Sequence, residues 1–132
     1  MVNSVILVGR LVADPVIREV SNGKNVCEIK LALARPFKSQ TTHTYETDFI
    51  KVTFWEYLAI NVNEYSIKGS VLAVKGRLQN RIINVNDKPI EIIDVVGESI
   101  IFVSKPNKIA AKTNDVVEDI PFDKVIEDES LD

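Results

Sequence analysis

The chain holds a single cysteine among its 132 residues. Cys27 therefore has no partner for an internal disulfide and cannot anchor a cysteine-based zinc site; it reads as a small buried hydrophobe in a reducing compartment. Histidine is as scarce. His43 stands in a polar stretch with no second imidazole, so it is read as neither ligand nor base, and no metal or cofactor is expected. Apolar runs are short, none reaching the roughly 18 residues of a membrane-spanning helix. Met1-Val2-Asn3-Ser4 has no basic region and Val5 to Val8 is a brief apolar run, so no secretory leader is expected and the cytoplasm is. With no leader and no disulfide, a secreted saccharide-binding barrel is disfavoured. No glycine-rich phosphate loop occurs, and Asp14, Asp48 and Glu56 fall in no nuclease or phosphoryl-transfer pattern. The sequence gives no reason to expect an enzyme.

What is present begins with an uneven charge. The net charge is −3, yet residues 1–105 carry 13 Lys and Arg against 11 Asp and Glu, while residues 106–132 carry 3 against 8. The body is mildly basic and the acidity belongs to the end. Placement matters more than the total, because attraction to a polyanion is screened within about 8–10 Å at physiological salt.

The first hundred residues read as strands. Ser4 to Leu11 is an apolar run ended by Ala13-Asp14-Pro15, and Ser21-Asn22-Gly23 signals a hairpin. From Val26 to Arg35 the residues Cys27, Ile29, Leu31 and Leu33 share one face, with Glu28 and Lys30 opposite. Lys38 to Thr44 is polar and predicts a flexible loop. Asp48 to Trp55 alternates again, with Ile50, Val52 and Phe54 on one face and Phe49, Lys51, Thr53 and Trp55 on the other. Leu58, Val62 and Tyr65 then mark a short helix, which Lys68-Gly69 is expected to end. Val71 to Ile83 places Leu72, Val74 and Leu78 on its even face and Lys75, Arg77, Gln79 and Arg81 on its odd face. Asn84 to Lys88 is a turn, and Ile90 to Phe102 a last strand bulged near Gly97.

Three strands, one short helix and two strands is the order of an all-β, five-stranded oligonucleotide-binding barrel, with the helix between the third and fourth strands. Residues 1–105 are assigned to that domain and residues 106–132 to a disordered acidic tail, where periodicity fades.

Sequence-tolerant binding of a single strand needs cations along the phosphates and aromatic faces against the bases. The third strand offers Phe49, Lys51 and Trp55 on its non-core face, and the fourth offers Lys75, Arg77 and Arg81. Each has a plainer reading. Trp55 and Phe49 would otherwise pack as core, Trp55 under the short helix, and the cations would be solvated charges. Phe54 and Phe102 read as core.

The chain also resembles the bacterial single-stranded DNA-binding proteins. The likeness covers residues 3 to about 103, through Asn3, Val5-Ile6-Leu7-Val8-Gly9-Arg10-Leu11, Asp14-Pro15, Arg18 and Asn22-Gly23. It continues through Arg35-Pro36-Phe37-Lys38, Asp48-Phe49-Ile50, Glu64-Tyr65, Lys68-Gly69-Ser70 and Gly76-Arg77-Leu78-Gln79-Asn80-Arg81. The resemblance implies a homotetramer that wraps and protects single-stranded DNA in replication, recombination and repair at the nucleoid. It implies base stacking at Phe37, Phe49 and Trp55, and phosphate contacts at Arg10, Lys51, Arg77 and Arg81, to which the odd-face pattern of the fourth strand adds Lys75. Two departures stand out. Ile83 occupies a position where the family usually has an aromatic. The acidic tip that docks replication and repair partners is matched by Asp119, Ile120, Pro121 and Phe122, but ten residues follow it here.

The rival expectation is an accessory primosome-type module of the same fold, acting mainly through protein partners; an acidic tail argues against it. With a basic body and an acidic tail on one chain, the tail is expected to lie against the groove when DNA is absent. Deleting residues 106–132 should therefore tighten DNA binding at low salt, read by titration of the truncated and full chains side by side.

Overall fold

A computed structural model describes residues 1–105. Six strands and one helix follow in order: β1 (Val5–Leu11), β2 (Val16–Glu19), β3 (Asn25–Lys38), β4 (Tyr45–Trp55), α1 (Tyr57–Tyr65), β5 (Val71–Val85) and β6 (Lys88–Ser104). They hydrogen-bond in the order β1-β5-β6-β4-β3-β2, and an added β1–β3 pairing closes the ring. Five of the strands form the expected barrel. The sixth, β2, is the short upstream half of the hairpin that Ser21-Asn22-Gly23 announced.

Local chemistry explains the breaks. Pro15 lacks an N–H and parts β1 from β2, which pair with successive stretches of one β3 edge, Arg10 opposite Ala32 and Val16 opposite Glu28. The Asp14 carboxylate accepts the Lys68 backbone N–H at 2.7 Å, tying that break to the turn before β5. At the far end of β5, Asn86 and Asp87 both take positive φ, 51° and 64°, between the paired residues Val85 and Lys88. Two such residues in succession form a hairpin turn whose twist matches the strands it joins.

The core follows the period-2 pattern. Cys27 faces Phe54, Ile29 faces Val52 and Leu31 faces Ile50 across the β3–β4 ladder. Leu72 and Val74 from β5 and Val95 from β6 complete the interior. Each fully buried apolar side chain contributes about 1.5–3 kcal/mol. One end of the barrel is covered by α1, which buries Ala59 and Val62. Phe102 packs against this core and meets Tyr65 edge-on, with ring centroids 6.0 Å apart.

The helix ends earlier than expected. Ser66 is already extended and its hydroxyl donates to the Val62 carbonyl, so Lys68-Gly69 lies in the following turn, with Gly69 at φ 91°. A buried serine terminates the helix, where the sequence pointed to the glycine.

Besides the two β1–β3 pairs, closure rests on two parallel pairs between β4 and β6, Val52 with Val95 and Thr53 with Val96. Just beyond them the fully buried Phe54 ring occupies the space a side chain on Gly97 would need. The register there slips between Lys75 and Gly76, Lys75 pairing with Ser99 and Gly76 with Gly97, so Glu98 is the extra residue. This is the bulge expected near Gly97.

Because β4 and β6 run parallel, the hairpins that carry their N-terminal ends leave the barrel on the same side. One arm is the distal part of β3–β4, the other the distal part of β5–β6. Gly97→Ala forces a methyl into the Phe54 ring. It should destabilise the fold by about 1–3 kcal/mol, the usual penalty of overpacking, read as a lower urea midpoint.

Candidate nucleic-acid interface

The outward face of β4 carries Tyr45, Thr47, Phe49, Lys51, Thr53 and Trp55 at alternate positions. Phe49 stands opposite Ala32 of β3, a side chain too small to cover it, and 58% of its surface is exposed. Trp55 stands opposite Val26, which is fully buried although it points outward. Trp55 is 40% exposed, so the indole is partly packed and partly open. Neither aromatic belongs to the core cluster, whereas Phe54 between them does. The packing alternative for Trp55 thus holds for only part of the ring.

Phe37 lies elsewhere. The β3–β4 register slips by two residues between Ala34 and Lys38, and Phe37 falls in that irregular stretch with 66% of its surface exposed. It lines an open hollow of about 480 Å³ with Arg35, Lys38, Ser39, Gln40 and Glu46. Arg35 is fully engaged: Nε and Nη2 donate to the two Asp48 oxygens at 3.0 and 2.9 Å, and Nη1 donates to Glu46 at 2.7 Å. The guanidinium beside Asp48 holds its carboxyl below the usual carboxylate range. This clamp straps the β3–β4 arm where it leaves the barrel.

The five expected phosphate cations differ in availability. Lys75 is exposed on β5, opposite Ser99. Arg77 is half-buried and donates to Gln79 at 3.2 Å. Arg81 donates to Asp94 at 2.6 Å. Lys51 sits 2.9 Å from Glu28, whose other oxygen accepts Arg18 at 2.7 Å. Arg10 is part-buried and donates to the Gly69 carbonyl at 3.2 Å, which directs it toward the turn before β5.

Sequence reasoning missed two lysines and one aromatic. Lys30 faces Lys51 directly across the ladder. Like charges so placed repel, and Glu28 relieves only the Lys51 side, since Lys30 forms no ion pair among the described residues. Tyr45 and Lys38 form the outermost pair of the same ladder. The signal was parity: Tyr45 is four residues before Phe49 and so shares its face, but the strand was expected to start at Asp48. Asp119, Ile120, Pro121 and Phe122 lie outside the described residues.

The ion pairs carry a pH signature. The bonds from Lys51 and then Arg18 hold the Glu28 carboxyl below its ordinary value, as Arg35 does for Asp48. A carboxyl depressed in the folded state contributes stability above its unfolded pKa, and that contribution is lost as pH falls through the folded value. Stability should therefore decline below about pH 4, where ordinary carboxylates protonate. Glu28→Gln should flatten part of that decline in thermal melts taken across the acid range.

The sequence profile described as the Single-strand binding protein family matches residues 2–103. A single-stranded DNA-binding protein of Oceanobacillus iheyensis is 39% identical over 104 residues, covering 78% of this chain and 64% of that protein. Its counterpart in Bacillus cereus is 42% identical over 108 residues, covering 81% and 63%. The chain thus spans under two thirds of the length of these relatives. Single-stranded DNA-binding protein 3 of Listeria innocua is 40% identical over 116 residues, covering 86% of this chain and 72% of the relative. In fold, the chain is similar to the protein in a Plasmodium falciparum SSB complex with ssDNA, at a TM-score of 0.68 and 23% identity over 79% of this chain and 96% of that one. With the profile spanning the whole barrel and relatives near 40% identity, this chain belongs to the single-strand binding protein family.

Proposed function

We propose that the protein binds single-stranded DNA with little sequence preference and protects it during replication, recombination and repair, without catalysing a reaction. The observation that carries this reading is the outward face of β4. Phe49 and Trp55 are held out of the core on the same strand face as Lys51, beside Lys30. Aromatic faces stack on any base, at about 1–3 kcal/mol each, and cations supply the phosphate term. Phe37 would add a third stack from the β3–β4 arm. Arg77 and Arg81 would follow the backbone along β5, and Arg10 would assist from the turn. Lys75 instead lies on the face that Ile6 and Ile101 assign to a second copy and is not proposed as a phosphate contact.

A homotetramer fits the opposite side of the barrel. There Ile6 of β1 and Ile101 of β6, 73% and 68% exposed, flank Lys75 and Ala73 on the outward face of β5. Apolar residues gathered in this way mark a surface that a partner covers. The division into a binding body, residues 1–105, and an acidic tail, residues 106–132, follows the charge split. Docking of replication and repair proteins would fall to Asp119 through Phe122. No helix among the described residues is long and apolar enough to cross a membrane, and action at the nucleoid accords with that.

Trp55 is the only tryptophan, so its fluorescence reports one stacking position. Titration with oligo-dT should quench it to saturation, with affinity falling as salt rises. If oligo-dT neither quenches the signal nor shifts the protein in a gel, this function is wrong.

A further inference from the structure

Beyond Phe49, the β3–β4 arm continues past the barrel into solvent, and its tip from Ser39 to Thr44 is polar throughout. Tyr45 breaks that pattern. The residue is 54% exposed, and the Lys38 ammonium lies 5.7 Å from its ring centroid. The Lys38–Tyr45 pair closes the ladder, so both side chains are fixed by register at a defined distance from Phe49.

The ground between Tyr45 and Phe49 is low. Thr47 lies between them on β4, opposite Ala34, and Ala32 lies opposite Phe49. Four residues of strand span about 13 Å at roughly 3.3 Å per residue. The arm thus presents a shallow trough with an aromatic ring at each end and small side chains along its floor. Each ring has a cation close by, Lys38 at Tyr45 and the Lys30–Lys51 pair two residues along the ladder from Phe49. Folding alone gives no reason for this repeat. An exposed tyrosine on a solvated hairpin gains little by burial, and Lys30 and Lys51 repel each other across the ladder.

We infer that Tyr45, with Lys38, is an additional base-stacking station that extends the single-stranded DNA track from Phe49 outward along the β3–β4 arm. The chemistry is that of the neighbouring station. The phenol ring offers a face to one base, and the Lys38 ammonium is placed to meet the adjoining phosphate. This rests on the proposed function, and the test separates the two.

The experiment compares the full-length protein with Tyr45→Ala, Tyr45→Phe and Phe49→Ala in Trp55 fluorescence titrations against oligo-dT, with thermal melts as a check on folding. Tyr45→Ala should weaken binding by about fivefold to a hundredfold, the effect of losing one stacked base. Tyr45→Phe keeps the ring and should stay within about twofold of the parent, and should do so even if the alanine variant is unstable. Photocrosslinking to an oligonucleotide carrying 5-iodouracil should also place an adduct on Tyr45 itself, distinguished from Phe49 by fragment sequencing of the shared peptide 39–51. If Phe49→Ala weakens binding while Tyr45→Ala is as tight as the parent and no adduct reaches Tyr45, the station does not exist and the function stands. If Tyr45→Phe loses as much as a folded Tyr45→Ala, the hydroxyl rather than stacking matters and the inference fails. If the parent binds no oligo-dT, the functional reading falls first.

Discussion

At one of the two short seams that close the barrel, the Phe54 ring lies on the bare backbone of Gly97, and the placement of both arms depends on that approach. β4 and β6 share only two parallel pairs, too few to hold a sheet edge by hydrogen bonds alone. The ring fills the room beside them and draws β6 inward. Glu98 is left over in the β5–β6 ladder as a result, and the strand bends around the barrel wall. Without this bend the sheet would stay open, and the outward face of β4 would lose its fixed neighbours.

Closure in this manner also aims the two arms. A parallel junction sends both hairpins from one end of the barrel, which gathers Phe37, Phe49 and Tyr45 on one arm and Arg81 with Asp94 on the other. The arms differ in construction. Arg35 clamps the first with three hydrogen bonds to Asp48 and Glu46. The second relies on an unbroken ladder from Arg77 to the turn at Asn86-Asp87. Both arms hold their side chains by register rather than by burial, which leaves the side chains open to a ligand.

The sequence was legible wherever one strand face meets a core. Cys27, Ile29 and Leu31 alternate with Glu28 and Lys30, and the structure buries the first set and exposes the charged residues of the second. The β5 odd face was readable for the same reason. Legibility stopped at the arms. Lys38 and Tyr45 to Thr47 have solvent on both faces, so no apolar alternation marks them; Lys38 reads as part of the Lys38 to Thr44 loop, and Tyr45 to Thr47 carry no strand signal. β4 therefore begins three residues before Asp48, and Tyr45 went unnoticed. Phe37 was named from resemblance, but the slip between Ala34 and Lys38 that sets its surroundings leaves no trace in a period-2 pattern. Salt-bridge partners such as Glu28 with Lys51 were hidden too, since they depend on strand register, not on spacing along one strand.

Those partners alter what a strand of DNA would meet. Lys51, Arg18 and Arg81 already hold carboxylates in the free protein, at 2.9, 2.7 and 2.6 Å. A phosphate arriving at such a side chain substitutes one anion for another, and the displaced carboxylate must recruit a counterion from solution. Cation release from the nucleic acid is then partly offset by cation uptake on the protein. Such an interface would count as fewer charges than its lysines and arginines suggest. A departing phosphate leaves no bare cation behind, because Glu28 or Asp94 is at hand to take its place. Such an exchange favours a protein that yields its strand readily to the next occupant.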